Sequence, residues 1–412
     1  MAKLSSTLRL FDAHCHLQDP RIFDKAPQLI SVAVDSGVVR FAVNGTSEKD
    51  WHLVKQLSEL HPCIVPSFGL HPWYVPGRTP VWLEKLKEFF EAVPSAAVGE
   101  IGLDKGSRGR EINFTDQIEV FQQQLELAKS LEKPASIHCV RAFGDLLKIM
   151  KSMGPFPAGF ILHSYLGSAE MVPEFSKLGA YFSFSGFLMS MEAKKAKKML
   201  KTVPSDRILL ETDAPDALPK SKSNSLYLVE GDPALTEFLK AQEQSAPTGS
   251  QQSTLLCSSA DASTLPRETL NHPANIQNVL DYVASLLGIS KEELAELSYR
   301  NAEHLFSFKG DAFLVLVFGI VYQQQEKSSN NAGIVGLMAF ERQVDNSYNR
   351  HCGDAWNFRA EMIIRRNIAF MLPRTVQSGA ARSKDELGDQ QRPQFRPSVS
   401  GVLDGIESST YI

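Results

Sequence analysis

The first half of the chain alternates short apolar runs with longer segments in which apolar residues recur at every third or fourth position. Apolar runs of about four to eight residues are typical of buried strands, whereas the longer spacing is typical of amphipathic helices. Eight runs predict strands, at residues 10–13, 41–44, 64–69, 97–103, 135–138, 159–163, 181–184 and 208–211. Strands that alternate with helices in this number predict an α/β fold, a (β/α)₈ TIM barrel, with a doubly wound open sheet as the alternative.

Helical patterns lie between the predicted strands and again near residue 300. Four segments predict helices, at residues 80–93, 113–131, 273–287 and 291–306. For the first of them we expect Thr79 as the N-cap and Pro80 at the first helical position. For the last, Ser290 and Glu293 have the spacing of a capping box.

Two segments lack a regular pattern. Residues 217–271 are rich in Ser, Thr, Pro and Gln, which predicts a long loop or insertion after the last strand. Residues 309–412 show no sustained periodicity, and we expect an irregular or disordered C-terminal extension there. The predicted organisation is therefore a barrel domain over residues 1–308 followed by this tail.

Composition narrows the class of protein. Hydrophobic residues make up 43% of the chain, enough for a full core, and the net charge is -4, so no overall positive field attracts nucleic acid. The 5 cysteines show no CxxC spacing and fit reduced thiols. The longest apolar run, residues 312–322, is too short to span a bilayer, and residues 1–9 lack a secretory pattern. We therefore expect a cytoplasmic or nuclear protein with no membrane partner, and no feature predicts a protein partner.

Side chains that suit metal binding lie at the ends of most predicted strands. They are His14, His16, His71, Glu100, Asp104, His138, His163 and Asp213. In a parallel barrel the carboxyl ends of all strands meet at one face, where active sites are found. A core histidine or a turn histidine explains any one of these residues, but not the whole set.

Four histidines and two carboxylates are enough for two metal ions if one carboxylate bridges them. Glu100 lies on the fourth of the eight predicted strands, midway through the strand order, and is the expected bridge between the two ions. The first and last strands are neighbours in a closed barrel, so we expect one ion between His14, His16 and Asp213. The expected ligands of the second ion are His138 and His163. Mixed imidazole and carboxylate ligands suit Zn²⁺ or Mn²⁺, and Mg²⁺ remains an option.

Short motifs in the chain resemble those of TatD-related deoxyribonucleases, metal-dependent hydrolases with a TIM barrel that are related to the amidohydrolases. The motifs are residues 11–16 (FDAHCH), 69–72 (GLHP), 99–104 (GEIGLD), 137–138 (IH), 163–164 (HS) and 211–213 (ETD). They occur in the order and at the spacing typical of the family, and the resemblance extends over about residues 10–308.

The resemblance implies roles for individual residues. The implied metal ligands are His14, His16, Glu100, His138, His163 and Asp213. Asp213 would also accept a proton from the nucleophilic water, so that Asp213 and Glu100 are the expected catalytic carboxylates. His71 would lie near the substrate phosphate without binding metal, although a turn histidine is an equal alternative, and Asp104 would brace a loop or a ligand histidine.

One position departs from the pattern of the family. An arginine often lies two residues after the fifth-strand histidine, but here Arg141 comes three residues after His138. Whether Arg141 contacts a phosphate or is merely solvated therefore stays open. Trp73, Tyr165 and Phe187 lie near strand ends and could stack on bases, with loop packing as the favoured alternative.

Three functions follow from these features. The leading prediction is a metal-dependent hydrolase that cleaves phosphodiester bonds of DNA or an oligonucleotide as an exonuclease, using a water activated by two divalent ions, Mg²⁺, Mn²⁺ or Zn²⁺. The alternative is hydrolysis of a small-molecule amide or lactone on the same barrel. The third is an inactive barrel that serves as a scaffold, against which the full set of ligand-type residues argues.

Overall fold

Eight parallel strands form one sheet in the order β1 to β8, each paired with the next. The computed structural model describes residues 8–220, 226–237, 265–266 and 268–307. The strands are β1 Leu10–Cys15, β2 Val38–Asn44, β3 Ile64–Phe68, β4 Ala97–Asp104, β5 Ala135–Val140, β6 Phe160–Leu162, β7 Ala180–Phe184 and β8 Ile208–Leu210. Each of the eight predicted strands is present, and its bounds differ from the prediction by three residues or fewer.

Helices connect the strands, as expected for parallel pairing. They are α1 Ala26–Asp35, α2 Trp51–Leu60, α3 Trp82–Ala92, α4 Phe114–Ser130, α5 Phe143–Met153, α6 Val172–Ser176 and α7 Ala193–Leu200, followed after the last strand by α8 Ile276–Leu287 and α9 Lys291–Phe306. A short 3₁₀ turn, Pro72–Gly77, follows β3.

The first and last strands meet and nearly close the barrel. The backbone N–H of Asp213 donates to the carbonyl of His14 at 2.9 Å. Farther along the same two segments, the N–H of His16 donates to the carbonyl of Ala214 at 2.7 Å. The buried carboxylate of Asp12 accepts from the backbone N–H of Thr212 at 2.9 Å and from its hydroxyl. This seam confirms the predicted TIM barrel over the open sheet, and it brings the ends of β1 and β8 together.

Helix α9 covers the opposite end of the barrel. Phe306 stacks on Phe11 of β1 with ring centroids 5.2 Å apart, and Leu305 and Ala302 join the same apolar cluster inside the strands. The side-chain amide of Asn301 donates to the carbonyl of Ile208 at the start of β8. Burial of this apolar surface fixes the amino ends of the strands and leaves their carboxyl ends for a site.

The helix boundaries differ from the predictions in two places. Helix α3 begins at Trp82 with Val81 as its N-cap, because Thr79 donates instead to Glu48, from its N–H at 2.8 Å and from its hydroxyl at 2.6 Å. The predicted helix from residue 273 begins as a 3₁₀ turn, Pro273–Asn275, before α8. The Ser290 cap is confirmed, since its hydroxyl oxygen accepts from the N–H of Glu293 at 3.1 Å.

The described parts of the predicted insertion pack on the barrel. Leu228 pairs with Asn271 in an antiparallel bridge, and the N–H of Asn271 donates to the carbonyl of Pro215 at 2.8 Å. Val229 and Leu270 are buried in the main core. Residues 221–225, 238–264 and 267 of this segment lie outside the described residues, as does the predicted tail over residues 309–412. Within the described ranges, no helix has the length and apolar character needed to cross a membrane.

Candidate metal centre

The ligand-type residues predicted from the strand ends converge at the carboxyl end of the barrel. Glu100 lies at the centre, buried with 3% of its surface exposed. His14 and His138 lie within β1 and β5, while His163 and Asp213 follow β6 and β8. The side chains come from strands on all sides of the barrel, so only closure of the sheet places them together.

The two oxygens of the Glu100 carboxylate face different histidines. Oε2 lies 3.3 Å from Nε2 of His16 and 3.6 Å from Nε2 of His14. Oε1 lies 2.8 Å from Nε2 of His163 and 2.9 Å from Nδ1 of His138. A carboxylate with one oxygen toward each of two ligand groups has the arrangement expected of a bridge between two ions.

Asp213 completes the group on the Oε2 side of Glu100. Its Oδ1 lies 3.5 Å from Nε2 of His16 and 3.8 Å from Nε2 of His14, and the two Nε2 atoms are 3.2 Å apart. Asp213 has a φ of 54°, in the left-handed region that few residues other than glycine adopt. The backbone is held there by the hydrogen bond from Asp213 to His14, so the seam of the barrel aims this carboxylate at the site.

Three groups of residues each have ligand atoms within 4.8 Å of one another, and two of the groups share His14. They are His14 with His16 and Asp213, His71 with Glu100 and His138, and His14 with His163 and Glu211. In addition, the facing nitrogens of His138 and His163 are 3.2 Å apart beside Oε1 of Glu100. Imidazole nitrogens and carboxylate oxygens at this spacing suit divalent transition metals.

The hydrogen bonding of His16 favours a role for this side chain as a metal ligand. Its Nδ1 lies 2.8 Å from the carbonyl oxygen of Asn44, which can only accept, so Nδ1 carries a proton. Nε2 then has its lone pair directed at the oxygens of Glu100 and Asp213, and acceptors that face acceptors require a cation or a second proton between them. The residues therefore fit a bound metal on the chemistry of the donor set.

His71 has the opposite arrangement. Its Nδ1 accepts a hydrogen bond from the backbone N–H of Trp73 at 3.1 Å, so the proton of the neutral ring is on Nε2. Nε2 lies 3.4 Å from Oε1 of Glu100 and donates toward it. A nitrogen that carries a proton has no lone pair for a metal, which is consistent with the prediction that His71 lies at the site without being a ligand.

The shifted pKa values of Glu100 and of the histidines around it indicate that this site favours positive charge next to the Glu100 carboxylate. Burial would raise the pKa of Glu100, but His71, His163 and the other histidines hold it well below its usual value. Burial would lower the pKa of His16, yet Asp213 and Glu100 raise it to about 9. Burial lowers the pKa of His71 to about 4, so that ring is neutral. Near neutral pH the negative charge of the buried carboxylates therefore stabilises a proton or a metal ion next to His16.

Two polar side chains that lie next to candidate ligand histidines were not predicted as site residues. Nδ1 of His14 lies 2.8 Å from the hydroxyl of Ser136 on β5. Glu211, fully buried after β8, lies 3.7 Å from Nδ1 of His163 and accepts from the N–H and the hydroxyl of Ser164, each at 2.7 Å. The ETD motif contains Glu211, and a carboxylate that directly follows a buried strand was the signal available.

Asp104 and Arg141 have different environments. Oδ2 of Asp104 lies 3.4 Å from Nε2 of His138 and accepts from the indole N–H of Trp73 at 2.5 Å, in line with the predicted bracing role. Arg141 follows β5 with a φ of 54° and is exposed, and within the described residues it forms no ion pair with the candidate carboxylate ligands. Its contact with a substrate phosphate stays a prediction.

The aromatic residues considered for base stacking are mostly engaged in packing. Tyr165 is fully buried between Phe143 and Phe182, which excludes it as a surface for bases. Phe187 is 42% exposed on the turn after β7. Trp73 is half-buried, with its ring centroid 4.8 Å from that of His71.

Comparison with known proteins identifies relatives of this chain. A family model described as TatD related DNase matches residues 11–307. The uncharacterized metal-dependent hydrolase YabD of Bacillus subtilis (strain 168) is 28% identical over 299 residues, which cover 72% of this chain and 98% of that protein. The 3'-5' ssDNA/RNA exonuclease TatD of Pantoea sp. (strain At-9b) is 28% identical over 214 residues, covering 51% of this chain and 81% of that protein.

A solved structure shows the same fold. The crystal structure of YjjV, a TatD homologue from Escherichia coli K12, superimposes with a TM-score of 0.57 at 24% sequence identity, covering 73% of this chain and 98% of that one. The family model spans nearly the whole barrel, and the relatives named above are metal-dependent hydrolases or nucleases. The chain belongs to the TatD-related DNase family and is a metal-dependent hydrolase.

Proposed function

We propose that this hydrolase cleaves phosphodiester bonds of DNA as an exonuclease, with two divalent cations at the candidate metal centre. The observation that carries the proposal is the position of Glu100, whose two oxygens face separate groups of histidines. His14, His16 and Asp213 would hold one ion, and His138 and His163 the other. When bound, such a pair of ions lowers the pKa of a water and neutralises charge on a phosphate.

The side chains of the site have distinct tasks in this reaction. Asp213 accepts the proton of the attacking water, since its Oδ1 is beside His16 and its backbone is fixed at the seam. His71 presents its Nε2–H next to Glu100, where it donates to a substrate oxygen or to the bridging carboxylate. Glu211 and Asp104 keep the rings of His163 and His138 in place.

The chemical class of the substrate is inferred from the family and from the site together. The relative from Pantoea sp. is named a 3'-5' ssDNA/RNA exonuclease, and this chain is 28% identical to it over 214 residues and belongs to the TatD-related DNase family. A single strand reaches a buried metal centre more readily than a duplex, and it needs only a local basic contact despite a net charge of -4.

Cleavage of an end-labelled single-stranded oligonucleotide tests the proposal. We expect release of mononucleotides from one end, complete loss of the reaction with EDTA, and loss in Asp213→Asn with the fold retained. Hydrolysis of amides or lactones without cleavage of oligonucleotides would favour the small-molecule alternative instead. A protein that binds no metal and hydrolyses neither class of substrate would favour the third function, an inactive barrel that serves as a scaffold.

A further inference from the structure

Arg108 lies on the loop between β4 and α4, at the same end of the barrel as the metal centre. Its guanidinium carbon is 4.4 Å from the ring centroid of Trp73 and 5.6 Å from that of Tyr74, a cation–π arrangement with both rings. Trp73 also contacts the site, through its indole N–H to Asp104 and through a T-shaped contact with the ring of His71. One indole therefore connects Arg108 to the site.

The charge of Arg108 is not neutralised by the protein. Within the described residues, no carboxylate forms an ion pair with it, and its side chain is exposed. Two other arginines near the strand ends are paired, Arg21 with Asp19 and Asp216, each at 2.9 Å, and Arg78 with Asp116 at 2.7 Å, whereas Arg110 and Arg141 are exposed without an ion pair to a described residue. A free guanidinium next to a site that takes anions is available for the substrate.

The loop that carries Arg108 is held in place by hydrogen bonds from α4 and by close backbone packing. Gln117 of α4 is buried, and its side-chain amide donates to the carbonyls of Asp104 at 3.1 Å and Gly109 at 2.9 Å. Gly109 packs so closely on Asp104 that an added Cβ would lie 2.3 Å from its carbonyl oxygen. The position of Arg108 is thus set before any ligand arrives, which lowers the entropy cost of binding.

We propose that Arg108, clamped on Trp73, binds a phosphate of the substrate strand next to the scissile one. Trp73 and Asp104 separate the guanidinium from Glu100, so the contacted phosphate is not the one that is hydrolysed. One face of the indole is covered by Arg108, which replaces base stacking on Trp73 by a phosphate contact. This inference rests on the proposed function for its substrate class, and it assigns Arg108 to binding of the strand rather than to the chemical step.

A charge-matched control is available at the other end of the barrel. Arg300 lies on α9 and is exposed beside Glu296, and its neighbour Asn301 contacts the start of β8. Arg300→Ala removes the same charge as Arg108→Ala, but far from the strand ends that form the metal centre. Arg108→Lys keeps the charge and loses the planar fork.

The test measures cleavage and binding of a single-stranded oligonucleotide by the full chain. In Arg108→Ala we expect KM to rise about tenfold with kcat within about a factor of two, and Arg108→Lys to recover part of the loss. In Arg108→Ala the slope of log affinity against log salt concentration should become less steep by about 0.7, the value for one phosphate contact on a single strand. Equal KM and equal salt slope in Arg108→Ala and Arg300→Ala overturn the inference.

Two further measurements separate this inference from the proposed function. Fluorescence anisotropy in an Asp213→Asn background reports binding of the oligonucleotide without cleavage, so the effect of Arg108→Ala appears even if the chemical step is misassigned. Oligonucleotides with a single neutral methylphosphonate locate the contact: at one linkage beside the scissile bond, the difference between the parent and Arg108→Ala should vanish. A difference that persists at every linkage contradicts a phosphate contact.

Discussion

Nε2 of His163 lies 2.8 Å from Oε1 of Glu100, although Glu100 lies on β4 and His163 directly follows β6, with β5 between the two strands. The same ring stacks on His14 of β1, with ring centroids 4.0 Å apart. The contact shows how the barrel collects ligand-type side chains around one carboxylate.

His71 should influence the reaction without holding metal. In His71→Asn the side-chain oxygen can still accept from the N–H of Trp73, but the donor toward Glu100 is lost. In His71→Gln the amide can supply that donor. We expect both variants to retain the metal content of the parent and His71→Gln to keep more activity, by about tenfold. Mass spectrometry of the metals and steady-state kinetics check this. Loss of an ion in His71→Asn would show that His71 is a ligand.

Glu211 should strengthen metal binding from behind His163. Glu211→Gln keeps an oxygen that accepts from Ser164 but removes the negative charge 3.7 Å from Nδ1 of His163. We expect metal affinity to fall about 10–100-fold, the range for residues that orient a ligand histidine. Titration of metal-free protein measures the affinity, with Glu170→Gln on the surface as the charge-matched control. Equal affinities in the two variants would contradict the positioning role.

His272 should make the barrel less stable in acid. Burial lowers its pKa from 6.5 to about 4, so the folded state binds fewer protons than the unfolded state between those values. Stability from the neutral ring is therefore present above about pH 6.5 and is lost as the pH falls toward 4, by up to about 3 kcal/mol. His272→Asn keeps an oxygen that can accept from the N–H of Ala274 and removes the titration.

Urea unfolding of the parent and of His272→Asn measures this difference. Between neutral pH and about pH 4.5, the free energy of unfolding of the parent should fall further than that of the variant. Other acid-sensitive groups affect both proteins alike, so the comparison isolates His272. Parallel pH profiles would show that the ring is protonated in the folded state at the same pH as in the unfolded state.

Residues 310–412 should be dispensable for the metal centre. All candidate ligands lie between residues 14 and 213, and α9 closes the far end of the barrel by residue 306. A chain that ends at residue 309 is expected to be soluble with unchanged metal content. Metal analysis of the purified truncated protein decides the matter, and a soluble protein that has lost its ions would contradict the predicted domain boundary.

The periodicity of the sequence was sufficient for the strands because each is a short apolar run bounded by polar positions. The ligand-type residues were also predictable, since parallel strands of a barrel place their carboxyl ends at one face. The convergence of Glu100 with four histidines follows from that rule.

Contacts between distant segments could not be predicted in the same way. Thr79 has the residue type of an N-cap but bonds to Glu48, because the tertiary contact outweighs the local preference. The tautomer of His71 depends on a backbone N–H two residues on, and the clamp on Arg108 depends on rings from another loop. Spacing along the chain contains none of this information. The packing of Val229 and Leu270 likewise arises from long-range burial within a segment of weak periodicity.

Metal stoichiometry measured together with oligonucleotide cleavage, in the parent and in Glu100→Gln, tests whether Glu100 bridges two catalytic metal ions. We expect about two divalent ions per chain and nucleotide release in the parent. We expect Glu100→Gln, folded and of the same size, to lose at least one ion and all detectable cleavage. Two ions retained in Glu100→Gln, or undiminished cleavage without them, would show that Glu100 does not bridge a catalytic pair of metals.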